Sequence, residues 1–263
     1  MISLSPLALV LLIVVFFVTC AVGVVTGSNS LVTVPLMFQF GIDPRVAVAT
    51  NMFGLTFMSL GSAIPFVGKN LFDRRRMFWF VALTLVGSTL GALLVGVIES
   101  KIMPLIVSLS MIFVVVFSFV KGNIGVEKND HNAAAISWFA NYLIYFLTFL
   151  LGIYGGLYSG GYTTMLTAVY VAFAGMTFTQ AVANTKLINF FSSLIATIIF
   201  ASQKLIDYRL GAILAATMFI AGFVGARFVT KMSDFWLKRI FLATVLILAA
   251  KILVFDVLLQ LKF

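Results

Sequence analysis

Apolar residues run along this chain in long blocks, separated by short polar or glycine-rich stretches. By the length needed to span or half-span hydrocarbon, about ten segments stand out. They cover residues 5–25, 29–41, 46–68, 77–98, 102–120, 135–154, 162–175, 180–201, 209–230 and 236–260. None shows the strict apolar–polar alternation of a lipid-facing strand, so the pattern predicts helices and not a barrel. The expected fold class is an all-α polytopic membrane protein, built as one domain.

Sliding the chain on itself by about 134 residues, without a gap, pairs AVAT at Ala47 with AVAN at Ala181. The same offset pairs Gly27 with Gly161, Gly41 with Gly175, Ser59 with Ser193, Asp73 with Asp207, Arg75 with Arg209, and Gly91-Ala92 with Gly225-Ala226. Matches at Gly, Asp and Arg are not expected from apolar low complexity. The division is therefore repeat 1 over residues 1–121, a connecting cytoplasmic loop over 122–134, and repeat 2 over 135–263, with about five segments in each repeat.

Loop charges set the relative orientation. Lys69, Arg74, Arg75 and Arg76 face only Asp73 after the third segment, whereas the next loop carries only Glu99 and Lys101. In repeat 2 the bias moves one loop on, to Arg227, Lys231, Lys238 and Arg239 against Asp234. If positive means cytoplasmic, corresponding loops lie on opposite sides, so the repeats are inverted and both termini fall outside the cytoplasm. Inverted repeats suit a carrier whose substrate sits near mid-membrane where broken helices meet.

Two segments are too short to cross. Ser30–Phe40 is about 11 residues, roughly 16 Å of helix, about half the hydrocarbon thickness. It follows TGSNS; its repeat partner, Thr163–Ala174, follows YSGGY. Each reads as a broken or re-entrant element opened by capping and turn residues. A helix N-terminus at membrane depth offers N–H groups and the positive end of a dipole to an anion. Ser28, Asn29, Ser30, Ser159, Gly160, Gly161 and Thr163 are candidates to line such a site. The competing explanation is that Gly and Ser only allow close helix packing.

Lys186 stands inside an apolar segment. With Asn189, Ser193 and Thr197 it forms a stripe spaced three, four and four, one helix face that should avoid lipid. All eight acidic residues lie in loops or near segment ends. A bound anion would then supply the counter-charge, and Thr50, Asn51 and Asn189 would orient it. Snorkelling to the interface is the alternative for Lys186, and the better account of Lys251.

Composition narrows the function. Hydrophobic residues make up 62% and charged residues 10% of the 263, and the mean hydropathy is +1.18. The net charge of +9 follows from positive loops, so nucleic-acid binding is not expected. One cysteine, Cys20, permits neither an intrachain disulfide nor a cluster site. One histidine, His131, sits in the connecting loop, so no metal, cofactor or catalytic centre is expected and an intramembrane enzyme is disfavoured. The first run lacks a basic n-region and a small-residue cleavage site and is expected to stay as the first helix.

The second half, with GIYGGLYSGGYTT, AVANTKLINFFSS and GFVGARF, resembles the successive motifs of the TauE/SafE family of sulfite and organosulfonate exporters. KLIN matches that family's Lys-Leu-x-Asn signature. In the first half GVVTGSNSLVTVP and AVATN are similar to its glycine-rich turn and Ala-x-x-Thr-Asn pattern, so the resemblance covers nearly the whole chain. Here the first glycine cluster is Ser28, Asn29 and Ser30, and Met52 stands where a lysine often follows Thr-Asn. The resemblance implies passage of sulfite, sulfoacetate or related sulfonates across a bacterial-type inner membrane. Export by alternating access is the expectation. An anion channel and an importer are the alternatives, and a homodimer is left open.

Overall fold

The computed structural model describes residues 5–69, 71–72, 74–120, 138–233, 235–237, 239–240 and 243. Among these the chain is helical: α1 Pro6–Thr26, α2 Ser30–Gln39, α3 Pro44–Ala63, α4 Arg74–Val97, α5 Met103–Val120, α6 Trp138–Leu157, α7 Tyr162–Phe173, α8 Phe178–Ser202 and α9 Tyr208–Val229. Five helices are long and apolar enough to cross a membrane, namely α1, α3 with the turn through Phe66, α4, α8 and α9. The connecting loop over 122–134, with His131, and nearly all of the segment over 236–260, with Lys251, lie outside the described residues.

Helix ends follow from local chemistry. Asp43 caps α3 by accepting from the N–H groups of Arg45 and Val46 at 3.0 and 3.2 Å, and Pro44 fits the first helical position. The helix accordingly opens at Pro44, two residues before the apolar run. At the repeat-related position Thr177 closes a capping box with Gln180 on α8. Gly41 and Gly175, after α2 and α7, both have φ near +70°, at +76° and +67°.

Packing returns under the same offset. α4 lies on α6 as α9 lies on α1, and α3 lies on α9 as α8 lies on α4, while α3 and α8 pack on each other at the centre. Small residues make these approaches possible: a Cβ at Gly91 would collide with the Ile153 carbonyl of α6, and one at Gly225 with the Ala21 carbonyl of α1. α2 lies against α3 and α7 against α8, so both short helices abut the central pair.

Asp43 gives the fold a pH signature. Burial would raise its carboxyl, but the Ser100 hydroxyl, the Val46 and Arg45 N–H groups and the Arg45 charge outweigh it and hold the carboxyl below its ordinary value. A depressed folded-state value stabilises the protein above about pH 4 and is lost as pH falls through that lower value. We expect Asp43→Ala to lower the melting midpoint in detergent at neutral pH, by about 1 kcal/mol. Melting curves of wild type and Asp43→Asn should differ at pH 7 and converge below about pH 3.

Candidate functional site

Two helix breaks meet at the centre. α1 ends at Thr26, Gly27 turns left-handed at φ 71°, and α2 starts at Ser30. α6 ends at Leu157, and Gly161, at φ 78°, opens α7. Neither the α2 nor the α7 start receives a hydrogen bond from its N-cap side chain.

The breaks satisfy one another. Ser30 Oγ and Ser159 Oγ lie 2.8 Å apart. The Tyr158 hydroxyl donates to the Ser30 carbonyl at 2.9 Å. The Thr163 hydroxyl donates to the Gly27 carbonyl at 3.1 Å, and Thr164 to the Thr26 carbonyl. Gly27 is needed twice over: its φ is positive, and a Cβ there would run into Thr163 and the Thr164 N–H.

Asn51 of α3 joins this group, donating to Ser30 Oγ at 3.0 Å and accepting from Thr33 at 2.9 Å. In repeat 2 the matching contact is Thr167 with Thr185, at 3.3 Å. Ser28 bonds Thr26, Asn29 reaches back to the Cys20 sulfur, and the Gly160 carbonyl accepts from Tyr154. Two expected residues face elsewhere. Thr50 accepts from the Asp207 N–H at the start of α9, and Asn189 donates to Ser59 of α3 at 2.6 Å. With Thr197 on Thr56, Asn189 ties the α8 stripe to α3 inside the bundle.

Lys186 is 3% exposed and turns inward instead of along α8 to an interface. Its ammonium donates to the Gly23 carbonyl at 3.1 Å, a group that also accepts from the Gly27 N–H at 2.8 Å. The cation therefore caps the negative end of α1 beside the break. Such a cap contributes at most about 2 kcal/mol, whereas burying an unpaired ion costs several. Among the described residues Lys186 has no carboxylate partner. Among the described residues the Lys186 ammonium is thus buried beside the α1 break with a backbone carbonyl and no carboxylate to balance it.

Tyr158, Thr164, Thr33 and Gly23 were not legible as site residues. Only Thr33 carried a signal, its match to Thr167 under the repeat offset.

The family described as Sulfite exporter TauE/SafE matches residues 11–252. The chain is 24% identical over 258 residues to "Probable membrane transporter protein YfcA" of Escherichia coli (strain K12), covering 95% of this chain and 91% of that one. It is 23% identical over 223 residues to a "Probable membrane transporter protein" of Haemophilus influenzae, covering 84% and 85%. No solved structure matches.

Gly27→Ala should lower the detergent melting midpoint by the equivalent of about 2–4 kcal/mol, the sum of backbone strain and overpacking. Gly41→Ala, with the same backbone but open space around it, should lose only the strain part, about 1–2 kcal/mol.

Proposed function

This chain belongs to the Sulfite exporter TauE/SafE family of membrane transporters, and on that premise we propose that it carries small sulfur oxyanions across a bacterial inner membrane. Sulfite and organosulfonates such as sulfoacetate are the substrate class, and export is the direction. The observation that carries this is the Lys186 ammonium, buried at the meeting of two helix breaks with a backbone carbonyl as its partner.

In this reading the anion binds between the α2 and α7 starts, drawn by Lys186 and both helix dipoles. Ser30, Ser159, Asn51 and Thr163 have hydroxyl or amide donors that now bond across the breaks and would turn to its oxygens. The repeats are taken as inverted, from the loop charges, with both termini outside the cytoplasm. Moving one repeat against the other would exchange the cross-break bonds and open the site to one side at a time. The break residues are enclosed, Ser30 at 1% and Thr163 at 5% exposure, which favours a carrier over a standing pore. All eight acidic residues lie in loops or near segment ends, so the usual intramembrane proton relay is lacking and the anion's own gradient would drive efflux.

The test is binding of sulfite, sulfoacetate, sulfolactate and taurine to purified protein and to Lys186→Met, by calorimetry and thermal shift. Wild type should bind sulfite or a sulfonate. Lys186→Met should bind at least tenfold more weakly, about 1.4 kcal/mol, while melting no lower without ligand, since an apolar isostere replaces a poorly compensated ion. Equal binding by both proteins would leave Lys186 only as the cap of α1, and no binding by either would overturn the sulfur-anion assignment. In vesicles a substrate gradient alone should drive flux; its failure would rule out uncoupled efflux.

A further inference from the structure

A second buried polar cluster lies between α4, α6, α7 and α8, reached from the second break through Tyr162, the first residue of α7. Thr84, Ser88, Tyr162 and Ser192 are each 0–1% exposed. Ser88 Oγ and Ser192 Oγ are 2.7 Å apart, and Ser88 donates to the Gly152 carbonyl at 3.1 Å. The Tyr162 ring packs over Gly155 of α6, where a Cβ would meet it at 2.9 Å, and its hydroxyl is directed at Thr84 and Ser192. Yet Tyr162 OH and Thr84 Oγ1 close no hydrogen bond. Two fully buried hydroxyls that face each other without closing a bond are costly in a membrane-spanning bundle, and a further polar group beside them would satisfy both.

The repeat offset shows that this polarity is not a requirement of the fold. The positions matching Thr84, Ser88 and Ser192 are Met218, Gly222 and Met58, while Tyr162 matches Ser28 of the first break. There the methionines fill the space: a Cβ on Gly54 would collide with the Met218 sulfur, and one on Gly222 with the Met58 carbonyl. The α3–α9 contact therefore closes with methionine where the α4–α8 contact has hydroxyls.

We propose that Thr84, Ser88, Tyr162 and Ser192 form a second station for a small oxyanion, on one of the two repeat-related approaches to the central site. Hydroxyls can donate to an anion or ligate a cation. Charge decides between them: Ser192 is six residues from Lys186 on α8, about 9 Å along the axis and on a different side of the helix, and no carboxylate faces the cluster among the described residues. An ammonium at that distance attracts an anion and repels a cation. The station rests on the transport reading, and the methionine-lined counterpart offers an anion no equivalent stop.

The experiment uses single-cysteine proteins in a Cys20→Ala background, with Ser192→Cys, Thr84→Cys or Met58→Cys, reconstituted in vesicles. Each is treated with methanethiosulfonates of similar size, one carrying a sulfonate and one a trimethylammonium. Ser192→Cys and Thr84→Cys should react at least tenfold faster with the sulfonate reagent, and Met58→Cys with neither. In the Ser192→Cys background, Tyr162→Phe should keep the melting midpoint and lose at least half of the sulfonate preference. Absence of reaction at both hydroxyl positions, equal rates for the two reagents, or faster reaction with the cation overturns the station. Because these rates are read without added substrate, they are independent of sulfite binding: a station without sulfite binding removes the substrate assignment, and sulfite binding without labelling removes only the station.

Discussion

The structure depends on how it satisfies backbone polar groups where two helices stop at membrane depth. In hydrocarbon each unpaired N–H or C=O costs several kcal/mol, so a broken helix survives only if its loose ends find partners. Here the partners come from the other break. The carbonyls of Thr26, Gly27 and Ser30 accept from Thr164, Thr163 and Tyr158, all in or just beyond the second break. Neither short helix could hold its place alone. The close approach is set by Gly27, whose missing Cβ lets α7 come within hydrogen-bonding reach of the α1 end.

Against that background the position of Lys186 is a trade. As a cap it supports α1 by bonding the Gly23 carbonyl, but a neutral donor would serve a carbonyl at smaller desolvation cost. On the proposed reading, a cation in this place is accounted for by a function in which negative charge arrives and leaves. The surrounding side chains fit the same logic, since Ser30, Ser159, Asn51 and Thr163 bond each other through hydroxyl and amide groups that can exchange partners with little change in shape.

Much of this was legible in the sequence because helix ends and breaks are written locally. Gly27 and Gly161 marked the breaks, Ser30 and Thr163 the half-helices that follow, and the repeat offset raised both above chance. Lys186 was legible by its setting in an apolar run. What could not be read is direction around a helix and partners across the bundle. Thr50 and Asn51 are neighbours, so at 3.6 residues per turn they point about a quarter-turn apart; one bonds Ser30 and the other turns to Asp207. Tyr158 sits in an aromatic-rich run with nothing to set it apart, and its bond to the Ser30 carbonyl spans 128 positions.

The two halves share a frame but not a chemistry. Under the offset Met52 answers Lys186, Leu55 answers Asn189, Met58 answers Ser192, and Met218 answers Thr84. Each polar member is buried among helices that pack the same way in both halves, so packing demands none of them. Two identical halves would place equal charge and equal polarity on both approaches to the centre, and two buried lysines would repel each other across it. α4 and α8 thus carry a cation, an amide and hydroxyls at positions where α3 and α9 carry methionine and leucine, while α3 keeps a buried polar set of its own in Thr50, Asn51, Thr56, Ser59 and Ser62. On the proposed transport reading, an anion would then meet different surroundings on its two approaches, and a near-symmetric frame could treat the two faces of a membrane differently.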